Sequence, residues 1–194
     1  MKFDIFKFDN VTSTNDVAIE LIKNKKKESG YVYAKTQTKG RGTHGKTWVS
    51  KPGNLFGSIF FPLKNNHPPL NEFSMINPII ISRAIKHLFK LNQISFKWPN
   101  DIFVNNKKIC GILQELITSE SKKFLIVGMG LNIISNPNIR DKYNSTNIYL
   151  ETNKKIPVFD IVKSIISSYE NFFYNVKSYN YERIKKEINL MSIK

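Results

Sequence analysis

Short segments of this 194-residue chain concentrate residue types that handle anions and flat polar rings. In Gly40-Arg41-Gly42-Thr43-His44-Gly45-Lys46-Thr47-Trp48, three glycines within six residues let backbone N–H groups converge on an anion. Arg41 and Lys46 add fixed positive charge, and Trp48 offers a ring for stacking. The segment fits an anion-binding loop other than a P-loop, or a flexible glycine loop. In Lys97-Trp98-Pro99-Asn100-Asp101-Ile102, Pro99 pre-sets a turn and leaves Asn100 and Asp101 at the start of a strand. These two suit a metal-phosphate or substrate contact, or an Asx turn capping a hairpin. A lysine pair opens Lys107-Lys108-Ile109-Cys110-Gly111-Ile112-Leu113-Gln114-Glu115, and Gly128-Met129-Gly130-Leu131-Asn132-Ile133 reads as a glycine-kinked strand.

The elements that must position these residues follow from hydropathy patterning. Residues 1–8 alternate apolar and polar as a half-buried strand does. Thr12-Ser13-Thr14-Asn15-Asp16 supplies N-cap residues for a short apolar helix beginning near Val17. Residues 31–34 read as a strand, and 36–54 show no period, a loop length that in a compact domain marks function or disorder. Strands follow at 54–62 and 94–97, with a helix over 74–90 between them and Pro78 near its first turn. Asn105-Asn106 turns a hairpin, strands cover 109–118 and 123–133, and helices cover 158–176 and 181–191. Hairpins segregated from helices predict an α+β fold, a mixed, largely antiparallel sheet with helices packed on one face.

Composition narrows the class. At 41% hydrophobic and 23% charged, the chain is neither disordered, collagenous nor membrane-embedded, and its length predicts one domain over 1–194. Thirty Lys and Arg against 15 Asp and Glu give +15, which invites a nucleic-acid partner. Four of the thirty are arginine (Arg41, Arg83, Arg140, Arg183), and the lysines are spread beside abundant Asn and Ile, as compositional drift would leave them. The single cysteine, Cys110, excludes an internal disulfide and suits a reducing, cytoplasmic compartment. It is expected as a buried small residue, and His67 and His87 lack metal-ligand spacing.

Together and in order, the segments resemble the catalytic domain of biotin–protein ligases. That family has Ser-Thr-Asn near the first helix, here Ser13-Thr14-Asn15, and Gln-Thr-x-Gly-Arg-Gly-Arg before a Trp, here Gln37-Thr38-Lys39-Gly40-Arg41-Gly42-Thr43 and Trp48. Its Lys-Trp-Pro-Asn-Asp, Lys-x-x-Gly-Ile-Leu-x-Glu and Gly-x-Gly-x-Asn are matched from Lys97, Lys108 and Gly128. Lipoate and octanoate ligases share the fold but carry a different glycine segment and lack the Trp-Pro-Asn-Asp run. The resemblance implies a class II aminoacyl-tRNA synthetase/biotin ligase-like sheet and a two-step reaction. Biotin and ATP, with Mg2+, give biotinyl-adenylate, and a lysine of a biotin carboxyl carrier protein domain then takes the biotin. The alternative from another class is a basic nucleic-acid-binding module.

The same resemblance assigns roles. Arg41, as a fork, and Lys108, as a point charge, would neutralise the carboxylate and the α-phosphate. Ser13, Thr14 and Gln37 would hydrogen-bond the ureido ring, with Asn15, Gly40, Gly111 and Leu113 lining the biotin pocket alongside Arg41 and Lys108. Gly42, Thr43, Trp48 and Asn132 would serve the nucleotide. Asn100 and Asp101 would lie near its phosphates, and Asp101 is also a candidate to orient the incoming lysine. No fixed protein site for the metal is expected, since Mg2+ arrives with ATP near Asp101.

Length and one residue depart from the family. It usually ends in a small β-barrel, whereas Asn180 is followed by room for one helix, and the first strand begins at residue 2. The expectation is therefore a catalytic domain without that barrel and without an N-terminal helix-turn-helix, a ligase that binds neither DNA nor membrane. A homodimer through an exposed strand edge is open. Where most members have a second Arg, this chain has Thr43. Losing a fork beside the adenylate should loosen its retention. Thr43→Arg is expected to slow biotinyl-adenylate dissociation, measured by release from the preloaded protein; an unchanged off-rate would sink the idea.

Overall fold

In the computed structural model, which describes residues 1–91, 93–137 and 144–192, the alternating segments assemble into one seven-stranded sheet. The elements run β1 (Asp4–Val11), α1 (Thr14–Lys23), β2 (Gly30–Gln37), β3 (Leu55–Pro62), α2 (Phe73–Phe89), β4 (Ile94–Lys97) and β5 (Asp101–Val104). They continue as β6 (Lys107–Ser119), β7 (Lys122–Leu131), α3 (Ile148–Thr152), α4 (Val158–Tyr174) and α5 (Tyr181–Met191). Strand order is β1-β2-β3-β7-β6-β5-β4. Only the β1–β2 pair is parallel, so the sheet is mixed and largely antiparallel as expected.

Two-residue turns set the register of the hairpins. Asn105 and Asn106 both take left-handed φ (49° and 59°), as do Glu120 and Ser121 (48° and 61°). That geometry matches the strand twist, which is why β5–β6 and β6–β7 can be joined so tightly. Alternation then sorts the side chains. Tyr31, Leu55, Ile59, Phe61, Ile112, Val127 and Met129 point to one face and form the main core with α2 and α4, through Ile76, Ile80, Ile165 and Tyr169. Each such burial contributes about 1.5–3 kcal/mol.

The opposite face is divided. Val32, Phe60, Phe124 and Ile126 form a second, smaller core with Ala18 and Ile22 of α1. The expected one-sided packing thus holds for α2 and α4, while α1 covers the other face. The reason lies in its own sequence: Ala18 and Ile22, four residues apart on one stripe, meet an apolar patch that the sheet presents only there. Pro78 sits in the second turn of α2 rather than near the first, and α3 has no counterpart in the periodicity reading, being five residues long.

Segments beyond the strands are pinned by buried polar groups. Asn54, 4% exposed, accepts from the backbone N–H groups of Ile133, Ile134 and Ser135 at 2.9, 3.1 and 3.3 Å and donates to the Ser135 carbonyl. The preceding Gly53 has φ +86°, and a Cβ there would lie 2.1 Å from Ile134 Cδ1. The chain leaving β7 is therefore strapped to the start of β3. Asn54→Ala strands three backbone donors and is expected to cost about 1–3 kcal/mol, read as a lower urea midpoint at constant m-value; a midpoint equal to wild type would show that Asn54 does not anchor this strap.

Candidate active site

On the α1 face, next to the second core, the sheet carries glycine instead of apolar side chains. Gly111 of β6 pairs with Gly130 of β7, and Leu113 pairs with Gly128. These positions floor an open cleft with about 980 Å³ of empty space, roofed by the loop between β2 and β3 and flanked by the N-terminus of α1. Side chains from elsewhere lie directly on this floor. A Cβ on Gly128 would be 2.3 Å from Asn15 Oδ1, and one on Gly130 would be 2.1 Å from the Trp48 indole. Glycine is required here because Asn15 and Trp48 occupy the space a side chain would fill.

One end of the cleft is neutral and polar. Ser13 caps α1 by accepting from Asn15 N–H. The backbone N–H and the hydroxyl of Thr14 both donate to Gln37 Oε1, at 2.9 and 3.2 Å, and Gln37 Nε2 donates to Ser50 Oγ. Ser58, fully buried on β3, places its hydroxyl 2.7 Å from Thr14 Oγ1 and 2.5 Å from Asn15 Oδ1. Such a cluster fixes donors and acceptors in place and so can discriminate a flat polar ring.

The glycine segment is a small folded hairpin. Arg41 bridges Thr47, Trp48 N–H donates to Gly40 carbonyl, Gly42 N–H to Lys46 carbonyl, and Lys46 N–H to Thr43 carbonyl. Those three N–H groups are satisfied within the loop, so they are not turned towards an anion. The spacing of Gly40, Gly45, Lys46 and Thr47 does satisfy the literal P-loop pattern, so spacing alone does not exclude that motif. Structural context does: a P-loop leads into a helix, whereas Thr47 turns back to pair with Arg41. At the turn, His44 takes φ 54° and Gly45 φ 72°.

Arg41 was expected to fork onto carboxylate and phosphate oxygens. Its fork holds two protein carboxylates, with Nη1 2.6 Å from Asp16 Oδ1 and Nη2 2.9 Å from Glu115 Oε2. Burial disfavours its charge, but the hydrogen bonds to Asp16 and Glu115 outweigh this and raise its pKa above the ordinary guanidinium value.

Lys108 reaches the cleft through an irregularity. Ile102 pairs with Cys110 but Phe103 pairs with Lys108, so Ile109 is an extra, bulged residue. Strict alternation would point Lys108 into the core with Cys110 and Ile112. The bulge turns it to the face of Gly111 and Leu113. There its Nζ lies 2.8 Å from Asp101 Oδ1 and 5.5 Å from the centre of the Trp48 ring. Asp101 Oδ1 and Trp48 Nε1 are buried, and neither makes a well-aligned hydrogen bond among the described residues. Asn100 donates from its side chain to Thr43 Oγ1, and its carbonyl accepts from Ile112 N–H, tying the turn after β4 to the loop. Asn132 donates to the Thr146 carbonyl, and Thr146 N–H donates to the Lys108 carbonyl. Cys110 lies behind the strand, fully buried; desolvation, with Asp101 nearby, pushes its thiol up to about 12.

Every residue to which the resemblance assigned a role in binding or catalysis lines this cleft except Gly40. Gly40 is buried beneath the loop, where a Cβ would lie 2.5 Å from the Trp48 carbonyl and 2.9 Å from Gln37 Nε2, so it seats the loop on its base. Lining residues that the sequence reading left without a role include Thr47, Val49, Ile112, Met129, Pro137 and Ser145. Ser58 behind Thr14 was also missed, and its one signal was a lone hydroxyl in an otherwise apolar strand, Leu55–Pro62.

The model of the Biotin/lipoate A/B protein ligase family matches residues 6–132. The bifunctional ligase/repressor BirA of Bacillus subtilis is 28% identical over 182 residues, which are 91% of this chain and 56% of that protein. The chain thus spans little more than half the length of that relative. Among solved structures, the Leishmania major biotin protein ligase in complex with biotinyl-5-AMP superposes with a TM-score of 0.84 at 28% identity, covering 98% of this chain and 81% of that one. The Aquifex aeolicus biotin protein ligase in complex with biotin and ATP gives 0.81 at 26%, covering 98% and 78%.

Proposed function

The chain belongs to the Biotin/lipoate A/B protein ligase family, and on that premise we propose that it is an ATP-dependent biotin–protein ligase. The observation that carries the proposal is a single cleft that joins a neutral polar pocket at Ser13, Thr14 and Gln37 to the Lys108 ammonium, with Trp48 and Asn132 beside it. A ureido ring, a carboxylate and a nucleotide need those three environments in one site. The relatives solved with biotin and ATP or with biotinyl-5-AMP support the same reading.

In the first step, the biotin carboxylate attacks the α-phosphorus of ATP, a C–O–P linkage forms, and pyrophosphate departs with the broken bond's electron pair. Two anions must approach, and Lys108 is the cation placed to lower that repulsion. Its pairing with Asp101 holds the ammonium in position, and its contact with the Trp48 ring keeps it at the nucleotide side. Gly111 and Leu113 wall the biotin chain. Gly42, Thr43, Asn100 and Asn132 face the nucleotide. With Oδ1 facing the Lys108 ammonium, the second oxygen of the Asp101 carboxylate would be the one to hold Mg2+ carried in by ATP, where the metal would spread the phosphate charge. In the second step, a lysine amine of a biotin carboxyl carrier protein domain attacks the acyl carbon, AMP leaves with the electron pair of the broken C–O bond, and the amine's proton passes to solvent, with Asp101 the candidate to orient the amine.

The excess of dispersed lysines then serves as a surface that steers an acidic carrier domain. No helix among the described residues is long and apolar enough to cross a membrane, and we place the enzyme in the cytoplasm. The exposed edge of β1 leaves room for a homodimer.

Biotin-dependent exchange of pyrophosphate into ATP tests the reading. Exchange is expected with biotin and not with lipoate, and Lys108→Ala should reduce it about 10²–10³-fold with an unchanged circular dichroism spectrum. Exchange with lipoate alone would overturn the substrate, and near-normal exchange in the variant would remove Lys108 from its role.

A further inference from the structure

Arg41 is tied to carboxylates from two different elements. Asp16 stands in the first turn of α1, and Glu115 lies midway along β6. Nη1 meets Asp16 Oδ1 at 2.6 Å, and Nη2 meets Glu115 Oε2 and Oε1 at 2.9 and 3.2 Å. At the tip of the loop that carries Arg41, a Cβ on Gly45 would meet nothing within 4 Å, while Thr43 Oγ1 accepts from Asn100 Nδ2. Glu115 also has a second partner. Its Oε2 accepts from Asn15 Nδ2 at 2.5 Å, and Asn15 Oδ1 in turn lies 2.5 Å from Ser58 Oγ, beside Thr14.

We infer that Asp16 and Glu115 are positioning residues that latch the loop 40–48 over the cleft through Arg41, and that Glu115 couples the latch to the Thr14–Gln37 pocket through Asn15. The physical basis is the forked geometry, which fixes the guanidinium plane from two sides. The three side chains are 37%, 41% and 31% exposed for Arg41, Asp16 and Glu115. Salt therefore reaches the cluster and weakens it without abolishing it. The latch is also graded. Removing the Asp16 charge leaves the Arg41–Glu115 pair in place, whereas removing the Glu115 charge weakens both the latch and the link to Asn15. In its consequence for ligand retention this inference rests on the biotin reading above; the latch itself does not.

Amide hydrogen exchange on the full chain, without added ligand, reads the latch directly. Asp16→Asn should speed exchange across 40–48 about fivefold, Asp16→Glu should restore it, and raising salt should speed the wild type more than the Asp16→Asn variant. Calorimetry with biotin should show weaker binding in both neutral variants, more so for Glu115→Gln than for Asp16→Asn. Unchanged loop exchange in both variants, or lost protection spread over β6 and β7, would overturn the latch. If the wild type binds no biotin, the functional reading fails while the exchange data still decide the latch.

Discussion

The pairing of β6 with β7 has to satisfy two demands at once. On one face its side chains, among them Ile112, Val127 and Met129, are mostly apolar because α2 and α4 cover them, and Gln114 there is hydrogen-bonded to Asn77 of α2. On the other, at Gly111, Gly128 and Gly130, side chains must be missing because Asn15 and Trp48 press against the backbone. Glycine in mid-strand weakens a ladder by removing packing and adding freedom to the unfolded chain. The cost is tolerable here because the same residues sit in the centre of a seven-stranded sheet, where their neighbours hold the backbone on both sides.

From that constraint the cleft follows. A floor without side chains admits the loop 40–48 and the start of α1, and each brings polar groups that would be costly to bury unpaired. They are paired with one another: Thr14 with Gln37, Asn15 with Glu115, Glu115 with Arg41. The bulge at Ile109 brings a cation into the cleft by reversing the face that Lys108 would otherwise take. Asp101, one strand away on β5, reaches the same point because it pairs across from Gly111, which offers no side chain to obstruct it.

The sheet was largely legible because alternation, two-residue turns and apolar helical spacing are local signals. The Asn105-Asn106 turn, the strand read over 54–62 and the helix read over 74–90 all appear within a residue of where the pattern put them. The side on which α1 packs was not legible, because the patch it covers is assembled from β2, β3 and β7, which lie far apart in the chain. The site residues were legible as motifs but not as a wiring diagram. Arg41 and Glu115 are 74 positions apart, and nothing in either segment says that one grips the other. The bulge is invisible for the same reason, since Lys107 to Cys110 read as an ordinary strand opening until the partner strand fixes the count.

The charge of +15 divides along similar lines. Pairs such as Lys26 with Glu120, Lys122 with Glu28 and Lys35 with Asp9 lie with both partners well exposed, where water screens them and they contribute little to stability. Lys108 is different: its side chain is 23% exposed and its partner Asp101 17%, so their attraction operates in a less polar medium. A fixed cation in such a place is worth most when a second anion arrives, because the Asp101 carboxylate has already met part of the cost of holding the ammonium out of water. The surface lysines can speed the approach of an acidic partner, but only a cation held in this way can change the energy of two anions brought together inside the cleft.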